Sequence, residues 1–77
     1  MAQLLSPLPG TFYRSSAPDK PPFKADGDTV AVGDVIGLIE VMKSFHEVRA
    51  DIAGANIRFV CDNEDPVMAG AVLAEVG

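Results

Sequence analysis

The sequence predicts an all-β domain of eight short strands folded as two packed sheets. Three observations carry that expectation. No stretch of the chain shows the apolar period of an amphipathic helix. Short alternating or apolar runs recur instead, each closed by Gly, Pro, Asp or Asn. The first half of the chain is also repeated in the second.

In chain order, residues 3–6 form a short apolar segment that Pro7, Pro9 and Gly10 interrupt, so it reads as an edge strand or a corner. Thr11, Phe12 and Tyr13 suit a strand over 10–14. Residues 15–22 hold three prolines and no hydrophobic face, which predicts a stiff, protruding loop. Asp26-Gly27-Asp28 is a turn signal, and strands are expected over 29–32 and 35–41 with Gly33-Asp34 between them. Over 44–52, Val48, Ala50 and Ile52 alternate with Arg49 and Asp51, the pattern of a half-buried strand. Phe45 is out of phase with that set and should point away from the core near the hairpin tip, unless a bulge resets the register and buries it. Ala53-Gly54 is a corner, Ile57, Phe59 and Cys61 mark another strand, Asp62–Asp65 an acidic turn, Pro66-Val67 a short strand and 72–76 the last one.

The repeat is explicit. Asp28, Val30, Gly33 and Val35 recur as Asp65, Val67, Gly70 and Val72 at a spacing of 37, with Leu73 in place of Ile36. Gly10 and Arg14 recur as Gly54 and Arg58 at a spacing of 44, so the first half carries about seven extra residues between 14 and 23, in the proline-rich loop. Two matching halves imply two sheets related by a pseudo-twofold axis around one shared core.

Composition bounds the function. At 77 residues the chain is one domain (1–77), and 48% apolar residues make it globular. Six basic against 11 acidic residues give a net charge of −5 and no basic cluster for nucleic acid or an anionic membrane surface. The single cysteine, Cys61, excludes an internal disulfide and a Cys-based metal cage, and its strand pattern suggests a buried, inert thiol. No signal-peptide pattern and no membrane-length apolar run is present, so a cytoplasmic location is expected. One histidine, His46, and one cysteine leave no nucleophile–base pair, so the chain is not expected to be an enzyme.

One stretch breaks the local rules. Strands 35–41 and 44–52 require a reversal at residues 42–43, yet no Gly, Asn, Asp or Pro lies between Val41 and Phe45. A reversal made of Met42 and Lys43 is conformationally costly, and such inconsistencies concentrate at functional sites. In the repeat, this reversal corresponds to the place where the termini meet. Lys43 is therefore expected alone at the opposite pole, where a larger protein can reach it.

The run Glu40-Val41-Met42-Lys43 resembles the Glu-Ala-Met-Lys biotinylation motif of biotin carboxyl carrier domains. The stretch Ser6-Pro7-Leu8-Pro9-Gly10-Thr11-Phe12-Tyr13-Arg14 is similar to the opening of the acetyl-CoA carboxylase type of carrier, and residues 14–22 sit where that type has its "thumb". The resemblance implies a hammerhead fold: a flattened β-barrel of two four-stranded antiparallel sheets, with the lysine exposed on the hairpin between the fourth and fifth strands. It implies biotin as the cofactor, attached through an amide to Lys43 by biotin protein ligase. It implies Met42 as a shaper of the hairpin, Glu40 and Ser44 as part of the surface the ligase reads, and Pro18 and Asp19 as thumb residues able to approach the biotin. It also implies a non-catalytic carrier, in which biotin carboxylase loads CO2 on the biotin and carboxyltransferase removes it, as in fatty acid biosynthesis.

There are departures from the family pattern. Ser44 replaces a frequent second methionine, Val41 a common alanine, and Ala55-Asn56 the usual Thr-Val. No long Ala/Pro-rich extension precedes the domain, which leaves open a stand-alone carrier, a cut-down piece of a longer chain, or a subunit of a different carboxylase. A lipoyl carrier shares the fold, but such domains usually place an acidic residue before the lysine, whereas Met42 stands here. An unmodified β-barrel interaction module, with Lys43 an ordinary loop residue, is the third reading.

Overall fold

A computed structural model describes residues 2–17 and 19–77. The repeat governs it throughout. Seven strands are formed among the described residues: β1 (Ala2–Leu5), β2 (Gly10–Tyr13), β3 (Val35–Val41), β4 (Ser44–Arg49), β5 (Ile57–Phe59), β6 (Asp65–Val67) and β7 (Val72–Val76). They make two antiparallel sheets, ordered β1-β7-β5 and β4-β3-β2-β6, in a body of 33 × 27 × 19 Å whose short dimension reflects two stacked layers.

The all-β, two-sheet class is as the sequence predicts, but one sheet has three strands rather than four. The missing strand is residues 29–32. Only Val30 pairs there, exchanging both backbone bonds with Gly54 at 2.9 Å. Immediately after it the chain turns, as Asp34 N–H donates to Ala31 and Gly33 takes φ 92°. Its counterpart Val67 pairs with Gly10 in a three-residue ladder between β6 and β2. In the second half the chain bends at Ala55-Asn56, between Gly54 and Ile57, where the first half runs straight from Gly10 to Phe12 within β2, so the ladder does not extend.

The ladders repeat down to their irregularities. Leu4 faces Ala74 while Leu5 faces Val72, which skips Leu73. Val48 faces Gly37 while Arg49 faces Val35, which skips Ile36. These are one β-bulge used twice, and in both cases it drives a wholly buried aliphatic side chain into the core. Leu4 thus corresponds to Val48, Ser6 to Ala50, Val30 to Val67, Ile36 to Leu73 and Ile39 to Val76, and all ten are buried. The core is the sum of two copies.

One spacing differs from the sequence reading. Phe12 faces Ile39, and Ile57 faces Val76, so Phe12 corresponds to Ile57 at a spacing of 45. Two further bonds agree: Glu64 N–H to Phe12 O (2.6 Å) repeats Gly27 N–H to Ile57 O (2.7 Å), and Arg14 N–H to Asn63 Oδ1 repeats Phe59 N–H to Asp26 Oδ1. Arg14 therefore matches Phe59, not Arg58, because the corner at Ala55-Asn56 adds a residue. The first-half insertion is then residues 15–22, set between Arg14 and Phe23 where Phe59 and Val60 are adjacent. Its neck is closed by the Ser15–Pro22 bridge and a 2.9 Å bond from Phe23 N–H to Arg14 O.

The copies also compensate in volume. A Cβ on Gly37 would lie 2.5 Å from the Phe12 ring, whereas Ala74 is tolerated at the matching place beside the smaller Ile57.

Candidate functional site

The Met42-Lys43 reversal is a two-residue hairpin turn closed by the Val41–Ser44 pair. Both turn residues take left-handed backbone, φ 49° at Met42 and 70° at Lys43, the geometry that matches the twist of paired strands. Neither has the small side chain that usually occupies it, and each left-handed non-glycine residue costs on the order of 1 kcal/mol. Pairing of β3 with β4 over its whole length imposes the turn. The result is presentation: Met42 is 93% exposed, Lys43 is exposed, and Lys43 takes part in none of the three ion pairs among the described residues. Ser44, the first residue of β4, is likewise exposed.

Beside the turn, register assembles a second feature on the outer face of the four-stranded sheet. Glu40 lies opposite Phe45 on one side and Thr11 on the other. Tyr13, one strand over, donates its hydroxyl to Glu40 Oε1 at 3.1 Å, and its ring centroid lies 5.9 Å from that of Phe45. The bond to Glu40 holds the Tyr13 phenol above its ordinary pKa, helped by partial burial and by the charges of Glu40 and Glu64. Phe45 points outward, as its phase predicts, and is 58% exposed. Between these rings and the inserted loop runs a groove of about 310 Å³, lined by Tyr13, Phe45, Ser15, Ser16, Ala17, Asn63 and Glu64.

The all-strand, two-sheet architecture has counterparts among known proteins. Residues 2–76 match the biotin/lipoyl family, described as "Biotin-requiring enzyme". The chain belongs to that family. Among biotin/lipoyl relatives, it is 41% identical over 71 residues to the biotin carboxyl carrier protein of acetyl-CoA carboxylase of Chlamydia pneumoniae, covering 92% of this chain and 42% of that protein. It is 42% identical over 71 residues to the same-named protein of Streptococcus pyogenes serotype M6, covering 92% and 43%. It is 44% identical over 62 residues to the chloroplastic carrier protein 1 of Arabidopsis thaliana, covering 80% and 22%. The chain thus spans less than half the length of these relatives.

Within the biotin/lipoyl domain, the residues singled out from sequence fall in three places. Glu40, Met42, Lys43 and Ser44 cluster at the hairpin. Asp19 is exposed in the inserted loop and does not line the groove, whose loop wall is Ser15–Ala17. Pro18 lies outside the described residues. Two residues escaped the sequence reading. Tyr13 becomes visible only once the β2–β3 register is known. Glu64 had a signal, since the spacing of 37 maps it onto Gly27, a turn glycine.

Cys61 is half-buried, with its thiol directed at Leu73 O (3.7 Å), and burial pushes its pKa up, away from reactivity. His46 is exposed opposite Ile39. Among the described residues, no group of three His, Cys, Asp or Glu side chains is placed to hold a metal, and no helix is long and apolar enough to cross a membrane.

Proposed function

We propose that this chain is a biotin carboxyl carrier domain of the acetyl-CoA carboxylase type and that biotin is attached to Lys43. The single observation that carries the reading is the exposed lysine on the left-handed turn that ends Glu40-Val41-Met42-Lys43, in a domain about 40% identical to carriers of that name. The residues fit the group. A primary amine standing clear of the fold can enter another enzyme's active site, lose a proton there and attack an activated carboxyl, forming the amide as the activating group leaves. Met42 and Ser44 flank it on the surface, and Glu40 is fixed beside it by Tyr13. Biotin supplies a ureido nitrogen that can carry CO2 between two active sites.

The domain itself supplies a rigid mount and delivery: two sheets hold the turn, so the attached arm is the moving part and its effective concentration near both active sites stays high. The partners of this reading are a biotin protein ligase, a biotin carboxylase and a carboxyltransferase, acting in the cytoplasm. The loop 14–22, its neck closed by the Ser15–Pro22 bridge, takes the place of the thumb. The domain spans 1–77, with 42–43 as the biotinylation hairpin.

The test is co-expression with a biotin ligase, followed by intact mass measurement and avidin capture. Wild type is expected to gain the mass of one biotin and be captured, and Lys43→Arg to gain none. A lipoyl mass on Lys43 would move the assignment to the lipoyl branch of the family, and an unmodified wild type would end it.

A further inference from the structure

The turn Asn63-Glu64-Asp65 repeats Asp26-Gly27-Asp28, and the repeat extends to backbone: Gly27 has φ 95° and Glu64 has φ 67°. Both turns donate the matching amide, to Ile57 O and Phe12 O. The first half fills this left-handed position with glycine, the residue that adopts it without strain; the second fills it with a glutamate. Nothing in the turn's own hydrogen bonds needs the Glu64 carboxylate, since the capping acceptor is Asp65, which takes Asp62 N–H at 2.8 Å just as Asp28 takes Ala25 N–H at 2.9 Å. Glu64 instead lines the groove, with its charge felt at the Tyr13 hydroxyl, opposite an inserted loop that the first half alone possesses.

That groove has a definite chemistry. The Tyr13 and Phe45 rings pack against each other, centroids 5.9 Å apart and planes tilted by 58°, and together form one aromatic wall of the groove. Glu64 supplies one negative charge, and a second, Glu40, sits bonded to the Tyr13 hydroxyl at the edge. Among the described residues, no lysine or arginine lines it. Aromatic faces and uncompensated carboxylates together favour a planar cation.

We propose that this groove receives an arginine side chain of a partner protein, held against the Tyr13 and Phe45 rings with Glu64 as its counter-ion. A chain of net charge −5 draws a basic partner surface toward it before contact, and the groove lies on the sheet face that adjoins the Met42-Lys43 turn, so such a contact would orient a partner at the lysine. The inference goes beyond the carrier reading and does not depend on it, because it concerns residues other than Lys43 and is tested on unmodified protein.

The experiment is a backbone-amide NMR titration of the 77-residue chain with N-acetyl-arginine amide and, in parallel, N-acetyl-citrulline amide, which has the same shape without the charge. The arginine probe is expected to shift the amides of Tyr13, Ser16, Phe45 and Glu64 saturably, and to bind about tenfold more tightly than the citrulline probe. Glu64→Gly should reduce arginine binding to the citrulline level while raising Tm by roughly 3 °C, since the left-handed position is relieved. Glu64→Gln, which keeps the side chain and removes the charge, should lose the same preference. Equal binding of the two probes, shifts located elsewhere, or unchanged arginine binding by Glu64→Gly and Glu64→Gln would overturn the proposal. Avidin capture of the same variants reads the carrier assignment separately.

Discussion

The two sheets bury equivalent side chains and display different ones. On the outer face of the four-stranded sheet, one cross-strand row reads Glu47, Leu38, Tyr13. The row that repeats it on the three-stranded sheet reads Gln3, Glu75, Arg58. Inside, the pairs remain matched, Leu4 with Val48 and Ile39 with Val76. Duplication has thus kept what builds the core and released what faces out. The four-stranded side gained the strained turn, the inserted loop and the aromatic pair, whereas the three-stranded side kept a plain polar face. The asymmetry of the exterior coincides with the proposed biotinylation hairpin.

The comparison can be broken at several points. The largest effect is on modification: Lys43→Arg should abolish biotin loading by mass measurement while Tm stays at the wild-type value, because the exposed side chain contributes no packing. Next come the matched core positions. Phe12→Ala is expected to cost about 3–5 kcal/mol in denaturant unfolding, while Ile57→Val, at the corresponding place, should cost about 1 kcal/mol. Gly37→Ala should cost about 2 kcal/mol through collision with the Phe12 ring, and adding Phe12→Ile, which copies the Ile57–Ala74 arrangement, should recover part of it. Recovery is incomplete because the new Cβ also meets Tyr13 O at 2.7 Å.

Two smaller effects are read by pH. The raised Tyr13 pKa means that its bond to Glu40 stabilises the fold below the ordinary tyrosine range and is lost as pH rises through the folded-state value. Glu40→Gln should bring the phenol back toward the ordinary value in a spectroscopic titration, with Tm at pH 7 little changed. Asp34 runs the other way. Its bond from Ala31 N–H and its contact with Lys24 lower its pKa, so its contribution is present above the ordinary aspartate value and lost as pH falls through the folded one. The matching residue, Ala71, has no such group, so Asp34→Ala should convert one turn into the other with the smallest loss of the series, vanishing in acid.

Much of this was legible in the sequence because turns and cores are written in residue types. Gly33 and Gly70, and Val30 and Val67, announced the repeat, and the lack of any turn former between Val41 and Phe45 announced the strained hairpin. The phase of Phe45 against Val48 gave its outward direction. What was not legible depends on register between distant strands. The strand expected at 29–32 reduces to Val30 because its partner bends just after Gly54, and a bend in one segment does not show in the sequence of another. The Tyr13–Glu40 bond joins residues 27 apart that meet only through the β2–β3 pairing. The change of spacing from 44 to 45 was hidden by two arginines, Arg14 and Arg58, that align in sequence but not in space.

The turn at Met42 and Lys43 owes its shape to its surroundings: with no glycine or asparagine of its own, it has no preference for left-handed backbone once β3 and β4 separate. A peptide cut from residues 35–49 would let it relax into ordinary conformations. An enzyme that recognised the curvature as well as the amine would therefore meet its substrate only on a folded chain.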